Sequence, residues 1–420
     1  MKNLKLAVLK IKKFWKRILV VLIVVPLLAG GGLIYYVQNS QAEIIKREVE
    51  KLNNDYKGLV RIGDSALSLF GNWPYVSLKI YDVQIFETKA DDAPVIMDVE
   101  DIYVGFNLSD IINGIYDIQS IIVEEGVFNI VLHEDNTTNI ENSLASTSSK
   151  EETTEADSST TNIHLKKIKF RNLDIHALDE ASNTDIETFI YSGKGGFSLK
   201  DSLIAGHIDT EFELNLIEDG DTSFIREKHF EIHTDITFNE YTGVLNIEPS
   251  GIVMENGDFE LEGSVGMLEE IDLDLSIKGT KPNFDMFIAF APADVISILE
   301  RYENAGEIYF NASIKGPVSD EELPFINADF GAGKAFLENT SNESKIDQMG
   351  FVGHFTNGAK RDMSTMEFSL TDMTASLEEG DFTGSFVVKN FESPEVDMQI
   401  DSEFDLDFVA AFFELEQAKN

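Results

Sequence analysis

The sequence predicts a mainly β protein: an N-terminal transmembrane helix followed by a long, curled, mostly antiparallel sheet that forms an open hydrophobic groove, with a few short capping helices. Three observations predict it. A twenty-residue uncharged run stands near the start of the chain, period-two alternation recurs over most of the remaining residues, and helical periodicity is confined to a few short stretches.

The first element is the apolar run "ILVVLIVVPLLAGGGLIYYV", Ile18–Val37. At a rise of about 1.5 Å per residue it matches a bilayer core of roughly 30 Å. Residues 1–17 carry Lys2, Lys5, Lys10, Lys12, Lys13, Lys16 and Arg17 and no acid, while Tyr35 and Tyr36 stand at the far interface. Basic residues stay on the cytoplasmic side, so residues 1–17 are expected in the cytoplasm and residues 40–420 across the membrane. A cleaved signal peptide is the competing reading, because Ser40 and Ala42 make a small-x-small site. The length of the apolar run favours an anchor.

Next, Ser40 and Glu43 are spaced as a capping box, and Ile45, Val49, Leu52 and Tyr56 recur at helical spacing, predicting one short amphipathic helix stopped at Gly58. From there the period becomes two. Strands are expected at Val76-Leu78-Ile80, Ile102-Val104-Phe106-Leu108, Ile208-Thr210-Phe212-Leu214-Leu216, Phe230-Ile232-Thr234-Ile236-Phe238, Ile271-Leu273-Leu275-Ile277 and Ile308-Phe310-Ala312-Ile314. Residues 395–409, "EVDMQIDSEFDLDFV", alternate most strictly. Val396, Met398, Ile400, Phe404, Leu406 and Phe408 share one parity, with acids on the other. Helices are expected at "SDIINGIY", capped by Ser109, and at "APADVISILERYENAG", where Val295, Ile298, Leu299 and Tyr302 pack before Gly306.

Residues 143–162, "SLASTSSKEETTEADSSTTN", have no apolar period and read as a flexible insertion between an N-terminal module, 40–142, and a repeating β-groove, 163–420. A repeat is visible between "GDFELEGSVGMLEEIDLDLSI" at 257–277 and "GDFTGSFVVKNFESPEVDMQI" at 380–400, and "PNFDMFI" from Pro282 echoes "PEVDMQI" from Pro394. If "FVAAFFELEQ" matches the helix after Pro292, the second copy stops early, which suggests a truncated C-terminus.

Charge excludes some functions. Removing the 7 basic residues of the N-terminus from 33 leaves 26 against 75 acidic residues, a net of −49 for the remainder. Such a surface repels nucleic acid, and the absence of cysteine excludes disulfides and thiolate chemistry. Catalytic motifs are weak. Gly63-Asp64-Ser65-Ala66-Leu67 resembles a GDSL block without its Asp-x-x-His partner, and "GAGKAF" at 331–336 lacks the Gly and Ser/Thr of a phosphate loop. His229 and His233 flank Glu231 on one side of a strand without a third ligand in view, and Asp272/Asp274 and Asp405/Asp407 fall on solvent-facing parity. No enzyme activity, cofactor or metal is expected.

The apolar parity therefore dominates. An ordinary sandwich core is the base-rate explanation, but helices are too few to cover the sheet and the strands do not divide into two complementary sets. Acyl chains are the expected occupants, along Leu78, Ile80, Phe106, Phe212, Leu214, Ile232, Phe238, Leu273, Leu275, Phe310, Met398, Ile400, Phe404 and Leu406. The alternative is a membrane-anchored scaffold or assembly factor for outer-membrane proteins, using strand edges and holding no lipid.

A resemblance points the same way. "GLVRIGDSALSLFGNWPYVSLKIYDVQIFE" at 58–87 and "DVEDIYVGFNLSDIINGIYDIQSIIVEEGVFNIVLHEDNTTNIEN" at 98–142 are similar to the N-terminal region of AsmA-family proteins. The order is shared: transmembrane helix, short helix, a strand before Phe70 and Pro74, a strand and helix leading to Gly114 and Ile118, then a Gly126-Phe128-Ile130 strand and an Asn139/Asn142 turn. It covers residues 10–142, and the rest only in general style. It implies a single-pass Gram-negative inner-membrane protein with a periplasmic β-groove, related to bridge-like lipid transfer proteins. Such proteins move phospholipid toward the outer membrane and support its integrity, which implies phospholipids as ligands, an outer-membrane or periplasmic protein at the distal end, and no catalytic residues.

Overall fold

In the computed structural model, the described residues are 43–414 apart from 44, 114–116, 136, 148–162, 201, 219–220, 223–225, 268–270, 282, 291–300, 319–322, 378–379 and 404–405. The expected membrane span and most of the 143–162 insertion lie outside them. Nineteen strands dominate, and the chain divides into two compact units: 1–128 with 137–152, and 129–136 with 153–420.

In the first unit, α1 occupies residues 45–55, and Asn53 ties it to β1 (Leu59–Arg61) through two hydrogen bonds with the backbone of Val60, at 2.9 and 2.7 Å. β2 (Asp64–Ser68), β3 (Val76–Phe86), β4 (Val95–Phe106) and β5 (Ile118–Leu132) come next, and β3 pairs antiparallel with β1, β2 and β4. Between β4 and β5 lies α2 (Leu108–Ile112). It begins two residues earlier than expected: extended Asn107 is its N-cap, so Leu108 is helical and Ser109 lies inside rather than capping. The Asn139/Asn142 turn is instead α3 (Asn139–Leu144), which Thr138 and Glu141 close with a reciprocal capping box. Ser143 and Leu144 thus belong to this helix and not to the insertion.

The second unit is an antiparallel meander. β6 (Ile163–Asp179), β7 (Thr184–Lys200) and β8 (Leu203–Glu218) pair in order; β9 (Asp221–Thr222) and β10 (Lys228–Asn239) both join β8. β11 (Val244–Met254), β12 (Gly257–Gly266), β13 (Ile271–Gly279), β14 (Tyr302–Val318), β15 (Phe325–Asn339), β16 (Lys345–Thr356), β17 (Glu367–Leu377), β18 (Gly380–Lys389) and β19 (Glu395–Ser402) then pair each with the next. Extensive strand contact occurs only between these ladder neighbours. The sheet is therefore open and uncurled, a correction to the expected trough. Bulges interrupt the β14–β17 ladders at Gly306, Lys334, Gln348 and Asp372; among the described residues no ladder joins β19 to another strand besides β18, so the meander does not close on itself.

Two further expectations change. Tyr302–Gly306 begins β14 rather than ending a helix, because Tyr302 pairs with Asn339 in the β14–β15 ladder; residues 291–300 lie outside the described set. β19 stops at Ser402, and Leu406 belongs to the helix α5 (Leu406–Phe412); α4 is Asp285–Ile288. Helical spacing brings Phe408 and Phe412 to 5.8 Å, and Phe412 is fully buried 5.1 Å from the ring of Tyr302. Tyr302 Oη and Asn339 Nδ2 both donate to the Phe412 carbonyl, at 3.0 and 2.8 Å. These anchors outweigh alternation. The repeat survives as hairpin followed by short helix, β12–β13–α4 and β18–β19–α5, but the "DMFI" of "PNFDMFI" is helical where the "EVDMQI" of "PEVDMQI" is a strand.

Candidate functional site

Strand register gathers the apolar parity of the second unit onto one face. One cross-strand row runs Phe238, Leu245, Val265, Leu273; the next runs Gly206, Ile236, Ile247, Gly263, Leu275, Ile314, Ile326. A third runs Leu261, Ile277, Ala312, Ala328, Phe355, Phe368, Val388, Val396. A fourth continues Phe310, Phe330, Gly353, Leu370, Phe386, Met398. Phe212, Leu214, Ile232, Phe238, Leu273, Leu275, Phe310, Met398 and Ile400 thus share this face. Leu78, Ile80 and Phe106 share one face of the first unit, facing Val104, Ile102 and Val76. Phe404 lies outside the described residues, and Leu406 is helical.

The face is unevenly covered. Residues 284–290, built around α4, form an aromatic strap over β12–β16, and its Met286 and Ala289 make a buried apolar cluster with Met254, Phe259, Ile308, Ala332 and Ala335. Phe287 lies 5.7 Å from Phe330 and 5.9 Å from Phe351; Phe290 lies 5.5 Å from Phe310 and 5.7 Å from Phe259. Asn304 Oδ1 accepts from Phe284 N at 2.7 Å, and Lys281 Nζ reaches Asp258 at 3.0 Å, so the strap is fastened at its start. The absence of a side chain at Gly279 admits the Met286 sulfur. Alternation could not reveal the strap; the three-residue spacing of Phe284, Phe287 and Phe290 was the available signal.

Away from the strap the same face is only half-buried. At β19, whose only described ladder partner is β18, Val396, Met398 and Ile400 are 59, 61 and 56% exposed. The greasy parity of "EVDMQI" therefore meets no covering element among the described residues.

The opposite face is polar and charge-paired. Asp209 on β8 receives His233 Nδ1 at 2.7 Å and His207 Nε2 at 3.0 Å, with Lys194 Nζ at 3.4 Å; His207 Nδ1 also meets Asp235 at 2.8 Å. Asp235 and then Asp209 raise the His207 pKa, while His233 chiefly holds Asp209 below the ordinary aspartate value. His229 and His233 point to one side as alternation predicts, but the third and fourth partners come from β8 and could not be seen in the local sequence. A hollow of about 250 Å³ beside them is bordered by Lys169, Arg171 and Lys194 together with Asp209, Glu211 and Glu231, a neutralised mixture. Among the described residues no cluster is arranged to hold a metal ion.

The motif-like stretches are ordinary strand. Ser65 lies in β2 opposite Ile80, and "GAGKAF" lies in β15, where Lys334 occupies a bulge and pairs with Glu307 at 2.8 Å. In the first unit Lys79 sits 2.6 Å from Asp101, beneath the rings of Tyr81 and Tyr103. Burial opposes its charge, but hydrogen bonds to Asp101 and Tyr103 outweigh burial and raise its pKa above the ordinary lysine value. No helix among the described residues is long and apolar enough to cross a membrane.

No protein-family model matches the chain, and no curated protein matches it.

Proposed function

We propose that this is an inner-membrane-anchored, periplasmic protein that binds lipid acyl chains along its apolar sheet face and supports phospholipid transport to, and the integrity of, the outer membrane. Its action is passive binding, not catalysis. The observation that carries the reading is the apolar face itself: rows through Phe238, Leu275 and Phe310 extend across many strands without a charged side chain and stay half-exposed where no described helix covers them. Rows made of apolar side chains favour an occupant that is itself apolar. Each buried methylene contributes about 0.8 kcal/mol, and similar neighbouring sites make sliding inexpensive. Headgroups stay in water at the strand ends, while the acidic opposite face keeps the sheet soluble. The basic and apolar N-terminal segments supply the tether and the adjacent bilayer.

The test is mass spectrometry of lipids extracted from residues 41–420 after periplasmic expression and detergent-free purification. Several phospholipids per folded chain are expected. A folded, lipid-free protein overturns the reading and transfers the face to a protein partner. One observation favours that scaffold reading: among the described residues β19 has a ladder partner, β18, on one side alone, so its other edge can accept a strand from another protein.

A further inference from the structure

The apolar face of the second unit is not one surface but two. On one side, toward Tyr302 and Asn339, the strap at 284–290 and the helix α5 close it: Met254, Phe259, Ile308 and Ala332 are 5 to 8% exposed, and Met286 and Ala289 are 0% exposed. On the other side, toward Val318 and Phe325, the rows of Ile236, Ile247, Leu273, Leu275, Ile314 and Ile326 continue unbroken past the strap, and every one of these side chains is half-exposed. The division follows strand length. β14 has 17 residues and β15 has 15, so their ladder is wider than the strap. The strap lies over Ile308–Phe310; beyond it, among the described residues, Ile314 stays half-exposed, and the Arg361 guanidinium borders the strand end at Gly316.

Resting on the acyl-chain reading above, we infer that the lipid-binding lane is this uncovered half, beyond the strap. Three features argue for it. Aromatic packing of Phe287 and Phe290 on four sheet phenylalanines leaves no room for an acyl chain beneath the strap. The lane is flanked by the strand ends at Val318 and Phe325, where a headgroup reaches water, whereas the strand ends of the covered half, at Tyr302 and Asn339, are tied to the Phe412 carbonyl of α5. The occupant is an alkyl chain rather than a protein strand, because in mid-sheet the lane's backbone groups are already paired in the ladders on both sides and only its apolar side chains remain to be covered. The bilayer expected at residues 18–37 places such chains within reach of the same polypeptide.

The full chain is expressed in bacteria grown on radioactive phosphate, with a photocrosslinking phenylalanine analogue in place of Leu275 or Ile314 in the lane, or Phe330 or Phe351 beneath the strap. Labelled phospholipid adducts at the two lane positions, at least tenfold above those beneath the strap, are expected. Equal adducts at all four overturn the lane while leaving acyl-chain binding intact. Absence of adducts everywhere overturns the acyl-chain reading itself. Because a bulky probe beneath the strap risks unfolding the chain, a second pair of variants is compared once circular dichroism shows both folded. Leu275→Asp should lose at least tenfold of copurifying phospholipid and Phe290→Ser should keep it within twofold; the reverse order overturns the lane.

Discussion

The ring of Phe287, on the strap, meets that of Phe330, on β15, edge to face with centroids 5.7 Å apart. This contact joins a segment with helical spacing to a sheet with strand spacing. It turns part of an open apolar face into a packed core.

Removing that ring should therefore unlock the strap. Phe287→Ala is expected to lower stability by about 3 kcal/mol, through lost burial and a cavity against Phe351. Urea denaturation monitored by circular dichroism measures it. A loss below about 1 kcal/mol would mean that the strap is loosely held.

Phe330 imposes a second constraint. It faces Gly353 across β15–β16, where a Cβ would collide with its ring. Gly353→Val should cost about 2 kcal/mol by overpacking. Phe330→Leu in the same chain should recover about 1 kcal/mol relative to the sum of the single changes, a coupling that a double-mutant cycle reads directly.

The histidine ladder on the polar face should make stability depend on pH at both ends. The folded pKa of His207 is raised above 6.5, so its contribution is complete below that value and is lost as pH rises through the folded pKa. Asp209 is depressed below 3.8, so its contribution is complete above that value and is lost as pH falls through the folded pKa. The ladder is then strongest between about pH 4 and 6.5. Urea midpoints across pH should flatten on the alkaline side in His207→Gln; an unchanged slope would remove His207 from the account.

In the first unit Lys79→Met should destabilise by roughly 1–2 kcal/mol, because it leaves Asp101 without its cation and removes contacts with Tyr81 and Tyr103. Adding Asp101→Asn should recover part of that loss. Thermal unfolding of the single and double variants separates the ion pair from the packing of the aliphatic stem.

Much of the strand content was legible. Alternation at Phe230–Phe238 and Ile271–Ile277 reports the side-chain period of a pleated strand, which depends only on local geometry, and both are strands with the expected face. It misled where a stronger non-local contact competes. Residues after Ser402 keep the alternating pattern, yet the burial of Phe412 against Tyr302, with Asn339 donating to the same carbonyl, makes them a helix. Tyr302 itself has helical spacing with Ile298 and Leu299, yet its ladder with Asn339 makes it a strand.

The candidate face divides the same way. That Leu273, Leu275, Phe310 and Met398 are apolar with polar neighbours is a property of the sequence, as is the acidic charge of the other parity. That they fall on one face required the register of six successive ladders, which is set by turns and bulges distributed over more than a hundred residues. Which of them are buried was decided by where the 284–290 strap lands, and the joining of His207, Asp209, His233 and Asp235 by the pairing of β8 with β10. Local periodicity is encoded residue by residue, so the sequence alone determined a β protein with one greasy and one acidic parity. Coverage and clustering depend on contacts between distant segments, so only the tertiary structure decided that the sheet is open, that half of one stretch is sealed, and that the other half is half-exposed among the described residues.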